Sequence, residues 1–134
     1  MQNKTLFLID DDFDDQDTFL ASLREIDPTI ECVTAKDGLE ALEYIHKNES
    51  FIPDFIFLDL NMPVMNGTAF LARLSTIEKF RKVPLYIYTT STSVKDKEET
   101  MSQGAVGFII KPNSISKLKE VLSELLLKSF ITKY

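Results

Sequence analysis

Short apolar segments alternate with amphipathic helical patterns along the whole chain, and this alternation limits the possible folds more than any other feature of the sequence. Five segments have the length and composition of strands. Three of them, TLFLI, FIFL and LYIY, are apolar almost throughout, as strands are when helices cover both faces of a parallel sheet. The strands are predicted at residues 5–9, 30–34, 54–58, 85–88 and 107–110.

Five helical patterns follow these strands. They are predicted at residues 13–26, 38–47, from near 67 through 74, 94–103 and 114–130. Repeated β–α units of this kind build a doubly wound α/β fold, in which a five-stranded parallel sheet carries helices on both faces. These elements fill the 134 residues, so the chain is predicted to form one domain over residues 1–134.

The charge of the chain argues against several classes of partner. Its formal net charge is -6, and a surface of this sign repels nucleic acid and anionic membranes. No apolar run approaches the roughly 20 residues that a membrane-spanning helix needs. The single cysteine, Cys32, cannot form an internal disulfide, and this favours a reducing, cytoplasmic location. Cys32 is expected to be a buried apolar residue. We therefore expect no binding to nucleic acid or to a membrane.

Polar side chains follow four of the predicted strands at the point where each strand ends. The first strand runs into Asp10 and Asp11, the third into Asp59, the fourth into Thr89 and the fifth into Lys111. The carboxyl ends of parallel strands meet at one edge of the sheet, so these side chains are expected to lie close together. Crowded carboxylates repel one another unless protons or a cation intervene, and Mg²⁺ prefers carboxylate and phosphate oxygens. The sequence therefore indicates a site for a divalent metal and a phosphoryl group.

The segments FLIDDD, FIFLDLNMPVMNG, LYIYTTS and GFIIKP, in this order, resemble the response-regulator receiver family, the CheY-like phosphoacceptor domains. The resemblance covers essentially the whole chain and implies the strand order 2-1-3-4-5. It identifies Asp59 as the phosphoacceptor. It also implies that Mg²⁺, for which Mn²⁺ can substitute, is bound directly by Asp11 and Asp59, mainly through water by Asp10, and by the backbone carbonyl of Asn61. The Asn61 side chain is a further candidate for influencing the lifetime of the phosphate.

The same resemblance implies roles for residues on the fourth and fifth strands. Thr89 and Lys111 would contact the phosphoryl group, and the bond between Lys111 and Pro112 is expected to be cis. Thr89 and Phe108 would form the conformational switch, with phenylalanine at a position where many relatives have tyrosine. Ser91 is a candidate for controlling how water reaches the phosphate.

The resemblance implies a switch in two-component signalling rather than an enzyme that turns over a small molecule. A sensor histidine kinase or a histidine phosphotransfer protein would supply the phosphoryl group. A downstream protein target would then bind the face formed by the fourth helix, the fifth strand and the fifth helix. The chain is expected to be a monomer or a weak homodimer.

Three alternatives share parts of this interpretation. A phosphohydrolase resembling the haloacid dehalogenases also uses an aspartate and Mg²⁺, but such enzymes carry a second aspartate where this chain has Asn61. A flavodoxin-like cofactor carrier is disfavoured because the aspartates after the first strand would repel the phosphate of FMN. A receiver that works without phosphorylation is disfavoured because the expected site residues occur together.

Several polar residues have simpler interpretations than a role in the site. The run DDDFDDQD lacks the glycine and the glutamate of an EF-hand loop. Asp14, Asp15 and Asp17 are therefore predicted to form the solvated first turn of the first helix, where the helix dipole favours negative charge. Ser93 is predicted to cap the fourth helix. The only histidine, His46, is expected to face solvent and to have no catalytic role.

Overall fold

A computed structural model describes residues 4–62 and 64–132 of the chain, the last five as backbone. It contains a five-stranded parallel sheet in the order β2-β1-β3-β4-β5. The strands are β1 Thr5–Ile9, β2 Glu31–Ala35, β3 Phe55–Leu58, β4 Leu85–Thr89 and β5 Gly107–Ile110. The predicted fold class and strand order are confirmed.

Five α-helices connect and follow the strands. They are α1 Phe13–Ile26, α2 Gly38–Lys47, α3 Gly67–Leu74, α4 Val94–Ser102 and α5 Ile115–Thr132. A short 3₁₀ helix at Glu78–Phe80 was not predicted, because three residues are too few to show a helical period. In the part of the chain that the structure describes, no helix is both long enough and apolar enough to cross a bilayer.

The sheet separates two apolar layers, which explains why its inner strands are apolar on both faces. Along β1, Phe7 and Ile9 pack in the layer that contains residues of α2 and α3, whereas Leu6 and Leu8 pack in the layer that contains residues of α1 and α5. All four side chains are fully buried. Helix α4 buries only Thr100, so it contributes little to either layer.

Strand register aligns the positions at which polar side chains follow the sheet. Ile9 pairs with Leu58, and one residue beyond each of them stand Asp10 and Asp59. The backbone N–H of Asp59 donates to the Ile9 carbonyl at 2.9 Å. Between the neighbouring strands β4 and β5, the backbone N–H of Lys111 donates to the carbonyl of Thr89 at 2.7 Å. The carboxyl ends of β1, β3, β4 and β5 therefore deliver their polar residues to one edge.

Three smaller expectations can be compared with the structure. The Lys111–Pro112 peptide bond is trans, so the expected cis bond is wrong; trans is the isomer that most X–Pro bonds adopt. His46 is exposed, as predicted. Cys32 retains some exposed surface and is therefore only partly buried. Its surroundings nevertheless desolvate the thiol and raise its pKa to about 12, so the thiol remains protonated near neutral pH.

Candidate functional site

An open pocket of about 630 Å³ lies at the carboxyl edge of the sheet. Its wall comes from the loop after β1 and the start of α1, from the ends of β3 and β5, and from the loop after β4. The polar residues that line it include Asp11, Asp15, Asp59, Asn61, Thr90 and Lys111. The pocket therefore places a single cation among several carboxylates.

The Lys111 ammonium lies at the centre of this charge cluster, and its side chain is only 7% exposed. Its Nζ is 2.7 Å from Asp15 Oδ2, 2.8 Å from Asp10 Oδ2 and 3.1 Å from Asp59 Oδ2. Burial by itself lowers the pKa of Lys111. The contacts with Asp10 and Asp15 and the charges of Asp10 and Asp59 together raise it by more, so the pKa lies above its ordinary value. The ammonium is a fixed positive charge.

Asp10 is the most deeply buried carboxylate of the site, with no exposed surface. Its Oδ1 accepts the backbone N–H of Asp12 at 3.0 Å. Its Oδ2 lies near Lys111 Nζ but receives no hydrogen bond of acceptable geometry, so we describe that contact as an ion pair. Burial raises the pKa of Asp10 to about 6, although Lys111 and the N–H of Asp12 act in the opposite direction.

Asp10, Asp11 and Asp59 form a group that fits a divalent cation. Each offers a carboxylate oxygen, and these oxygens lie within 4.8 Å of one another. Asp11 is more exposed than the other two. Hard cations such as Mg²⁺ and Mn²⁺ bind oxygen ligands of this kind. The Oδ2 of Asp10, which lacks a directed donor, is an acceptor that a cation or its bound water can use.

Asp59 is 5% exposed and is held at both carboxylate oxygens. Oδ1 accepts the backbone N–H of Asn61 at 3.2 Å, and Oδ2 accepts from Lys111. Helix α3 begins against the same loop at Gly67, where a Cβ would lie 2.8 Å from Leu60 Cα and 3.0 Å from the Asp59 carbonyl oxygen. Only glycine permits this approach, so the start of α3 supports the backbone that carries Asp59.

Neither Thr89 nor Ser91 is among the residues that line the pocket. Thr89 is fully buried, and its Oγ1 accepts the backbone N–H of Ser91 at 3.3 Å. Among the hydrogen bonds of the described residues, none joins the side chains of Thr89 and Asp59. Thr90 rather than Thr89 lines the pocket, because successive residues at a strand end point in opposite directions.

Ser91 connects the site to α4. Its hydroxyl donates to Asp96 Oδ2 at 2.7 Å and accepts the backbone N–H of Ser93 at 3.2 Å. Ser93 is the N-cap of α4, since its Oγ accepts the Asp96 N–H at 3.2 Å, and this prediction is confirmed. Phe108 on β5 is half-buried and packs against the apolar layer that includes Ile87.

Two residues of α1 belong to the site although the sequence interpretation did not place them there. The prediction of a solvated first turn holds for Asp14 and Asp17, which are exposed, but it is wrong for Asp15. Asp15 stands four residues before the buried Phe19, so it lies on the inward face of the helix. Buried Gln16 donates from Nε2 to the Asp10 carbonyl at 2.6 Å. Helical spacing from Phe19 was the signal that would have identified Asp15.

The comparisons with known proteins agree with this geometry. A family model described as the response regulator receiver domain matches residues 6–123. A protein-glutamate methylesterase/protein-glutamine glutaminase of Halalkalibacterium halodurans is 35% identical over 134 aligned positions, which cover 92% of this chain and 36% of the relative. This chain spans only 14% to 60% of the length of the curated relatives compared.

Solved structures show the same arrangement of helices and strands. The phosphorylated cyanobacterial phytochrome response regulator RcpA has a TM-score of 0.84 and 26% identity, covering 92% of this chain and 91% of its own. The chemotaxis protein CheY4 of Vibrio cholerae has a TM-score of 0.78 and 29% identity, covering 92% of this chain and 98% of its own. The family match over most of the chain and these CheY-like neighbours lead to one conclusion. The chain belongs to the response regulator receiver domain family of two-component signalling.

Proposed function

We propose that this chain is a phosphoryl-accepting switch in which Asp59 is modified by a partner histidine kinase or histidine phosphotransfer protein. The observation that carries the proposal is the position of the Asp59 carboxylate, which lines an open pocket 3.1 Å from the buried Lys111 ammonium. A positioned carboxylate nucleophile beside fixed positive charge is what transfer of a phosphoryl group to an aspartate requires. The similarity to RcpA, which has been crystallised in a phosphorylated form, supports the same function.

The proposed transfer is a single displacement at phosphorus. An Asp59 oxygen forms the new P–O bond while the N–P bond of the partner's phosphohistidine breaks. The imidazole nitrogen keeps the electron pair, and a proton on the other ring nitrogen leaves the ring neutral. Lys111 retains its proton and offsets the charge of the phosphoryl oxygens, while the Asn61 N–H orients the acceptor carboxylate.

We further propose that Asp10, Asp11 and Asp59, together with the backbone carbonyl of Asn61, hold Mg²⁺, with Mn²⁺ as a substitute. The clustering of three carboxylate oxygens within 4.8 Å and the incompletely satisfied Asp10 Oδ2 support this ligand set. When bound, the cation would supply additional positive charge next to the phosphoryl oxygens.

The response to phosphorylation is proposed to pass through Thr89 and Phe108. The Thr89 hydroxyl, which accepts the Ser91 N–H, would donate its own hydrogen to a phosphoryl oxygen, and half-buried Phe108 would turn further inward. The side chains of Asn61 and Ser91 would then influence how water reaches the acyl phosphate, since Asn61 lines the pocket and Ser91 is fixed by Asp96.

We propose that the surface of α4, β5 and α5 transmits the signal to a downstream protein. Three apolar side chains of this region, Val106, Ile110 and Ile115, are 47% to 53% exposed. Helix α4 is tied to the site through the hydrogen bond between Ser91 and Asp96. A change at Asp59 can therefore alter the affinity of this surface for a protein partner.

The test is the intact mass of the protein after incubation with acetyl phosphate and Mg²⁺. We expect a gain of one phosphoryl group, which disappears in Asp59→Asn and in the presence of EDTA. Asp17→Asn, which removes an exposed carboxylate of α1 outside the pocket, is the matched control and should still be modified.

Two results would contradict the proposal. One is a mass gain that persists in Asp59→Asn, which would place the modification elsewhere. The other is the absence of any gain under conditions that modify an established receiver, which would favour a module that works without phosphorylation. Repeated hydrolysis of a generic aryl phosphate would instead support the phosphohydrolase alternative.

A further inference from the structure

Asp15 makes the shortest contact of the Lys111 ammonium. Its Oδ2 lies 2.7 Å from Nζ, compared with 3.1 Å for Asp59 Oδ2. Charge-assisted N–H···O bonds are typically about 2.7–2.9 Å long, so the contact with Asp15 has ordinary length and the contact with Asp59 is long. In the unmodified protein the ammonium therefore lies nearer to the Asp15 carboxylate of α1 than to that of Asp59.

An ammonium group has three donor hydrogens, and three carboxylates lie within 3.1 Å of the Lys111 nitrogen. Hydrogen bonds run to Asp15 and Asp59, whereas the 2.8 Å contact with Asp10 is an ion pair without hydrogen-bond geometry. A phosphoryl oxygen on Asp59 therefore competes with these carboxylates for the ammonium. Asp10 is fully buried, whereas the Asp15 side chain is 36% exposed and can be hydrated. Asp15 is thus the partner that Lys111 can leave at the lowest cost.

The helical position of Asp15 keeps its backbone in place. Its backbone N–H donates to Oδ1 of Asp12, the N-cap of α1, at 3.1 Å. The first turn of a helix also favours negative charge. Asp15 therefore presents its carboxylate to Lys111 from an ordered helix rather than from a loose loop.

We propose that Asp15 is a positioning residue that holds Lys111 on the α1 side of the pocket and thereby slows phosphoryl acceptance by Asp59. This inference rests on the proposed function. When acetyl phosphate is the donor, an Asp59 oxygen forms the new P–O bond, and acetate leaves with the electron pair of the bond that breaks. Lys111 keeps its proton and exchanges the Asp15 carboxylate for a phosphoryl oxygen.

Asp14 provides a matched control for the charge of Asp15. It precedes Asp15 in the same helical turn and lines the same pocket, but it makes no contact with Lys111 among the ion pairs of the described residues. Asp14→Asn and Asp15→Asn each remove one negative charge from the pocket. A difference between these variants therefore reports the contact with Lys111 and not the general electrostatic effect.

The first measurement follows the Lys111 ammonium in proton–nitrogen correlation spectra, without metal or phosphoryl donor. We expect Asp15→Asn to shift the Lys111 signal or broaden it through faster exchange with water, whereas Asp14→Asn should leave it close to the native position. Backbone amide spectra establish that both variants are folded. An unchanged Lys111 signal in folded Asp15→Asn would overturn the positioning role, whether or not Asp59 is ever phosphorylated.

The second measurement is the rate at which acetyl phosphate and Mg²⁺ modify the protein. Asp15→Asn should be modified about threefold to fivefold faster than Asp14→Asn, which is the scale expected for loss of a partly exposed ion pair. Asp15→Glu, which retains the charge, should return the rate toward that of the native protein. Equal rates in the two Asn variants, or a slower rate in Asp15→Asn, would overturn the inference. Failure of the native protein to be modified at Asp59 would instead overturn the proposed function.

Discussion

The interior of the sheet and the residues at the carboxyl ends of its strands both contain buried side chains, but these side chains are opposite in polarity. Leu8 and Phe57 are fully buried within β1 and β3, and burial of each side chain stabilises the fold by about 1.5–3 kcal/mol. Asp10 and Asp59 follow β1 and β3, Thr89 is the last residue of β4, and all three are at most 5% exposed. For the two carboxylates, loss of hydration opposes folding unless charge or hydrogen bonds compensate it.

This difference shows that the burial of a side chain does not by itself indicate whether that side chain stabilises the fold. In the interior, neighbouring apolar side chains lose contact with water together. At the edge, one ammonium compensates several carboxylates, and the raised pKa values of Asp10 and Lys111 show the consequence. The edge retains negative charge that is incompletely neutralised, and this is the property that binding of a cation requires.

The largest effect is expected in the interior, from Phe57→Ala. The ring of Phe57 is fully buried and contacts those of Phe19 and Tyr86. Its removal should lower the free energy of unfolding by about 3–5 kcal/mol, because it leaves a cavity as well as losing burial. Denaturant titration measures the change, and Phe13→Ala is the control because Phe13 is 64% exposed. Similar losses of unfolding free energy in both variants would show that the difference in burial between Phe57 and Phe13 does not determine the effect.

The next effect is expected at the edge, from Lys111→Met. This substitution keeps an unbranched side chain but leaves buried Asp10 and Asp59 without their cation. We expect a loss of about 3 kcal/mol near neutral pH in EDTA, and a smaller loss in mild acid, where Asp10 takes up a proton. Lys117→Met removes an exposed ion pair with Glu120 and should cost less than about 1 kcal/mol. Equal costs would mean that the carboxylates do not depend on Lys111.

A smaller effect of opposite sign is expected for Asp10→Asn. Burial raises the pKa of Asp10 from 3.8 to about 6, so the folded protein binds an additional proton between these values. The stability due to this proton is present below a pH of about 4 and is lost as the pH rises through about 6. In EDTA near neutral pH, Asp10→Asn should therefore be more stable than the native protein by about 1–3 kcal/mol.

The stability difference between Asp10→Asn and the native protein should shrink as the pH falls from neutral toward 4. Denaturant titrations at several pH values measure it. Parallel pH profiles for the two proteins would show that Asp10 is not the group that takes up the proton. Reversal of the difference by Mg²⁺ would be further support for a cation at this carboxylate.

The smallest effect is expected where the edge meets solvent, at Ser93. Ser93→Ala removes the hydroxyl that accepts the Asp96 N–H at the start of α4. The expected loss is about 1 kcal/mol, as for other N-cap residues. Ser123→Ala is the matched control, because Ser123 is exposed within α5 and alanine there favours the helix. A loss in the control as large as that in Ser93→Ala would exclude capping as the cause.

Most of the fold could be predicted because its determinants are local. Strands apolar on both faces indicate a sheet covered on both sides, and β1, β5, α1 and α2 begin and end where the patterns predicted. The motifs, in their order along the chain, resemble the receiver family, and this resemblance then implied the strand order. The composition of the strand ends likewise identified Asp10, Asp59 and Lys111 as neighbours, because parallel strands bring their carboxyl ends together.

Other features depended on how the elements pack. A helical pattern shows which face is buried, but not which atoms that face meets, so Asp15 was assigned to solvent although its carboxylate contacts Lys111. Gln16 was overlooked for the same reason, since its partner is a backbone carbonyl six residues away. The positions of Thr89 beneath the pocket and Thr90 in its wall also required the direction in which β4 ends.

The sequence by itself therefore determined the strands, the helices and the residues that gather at one edge, because periodicity and strand ends are properties of neighbouring residues, whereas the strand order was implied by the resemblance to the receiver family. Only the tertiary structure decided how the Lys111 ammonium is shared among its carboxylates. That sharing depends on distances of a few tenths of an ångström between residues far apart in the chain. Such distances are set by the packing of α1 against the sheet and by the register of its strands, which no local pattern records.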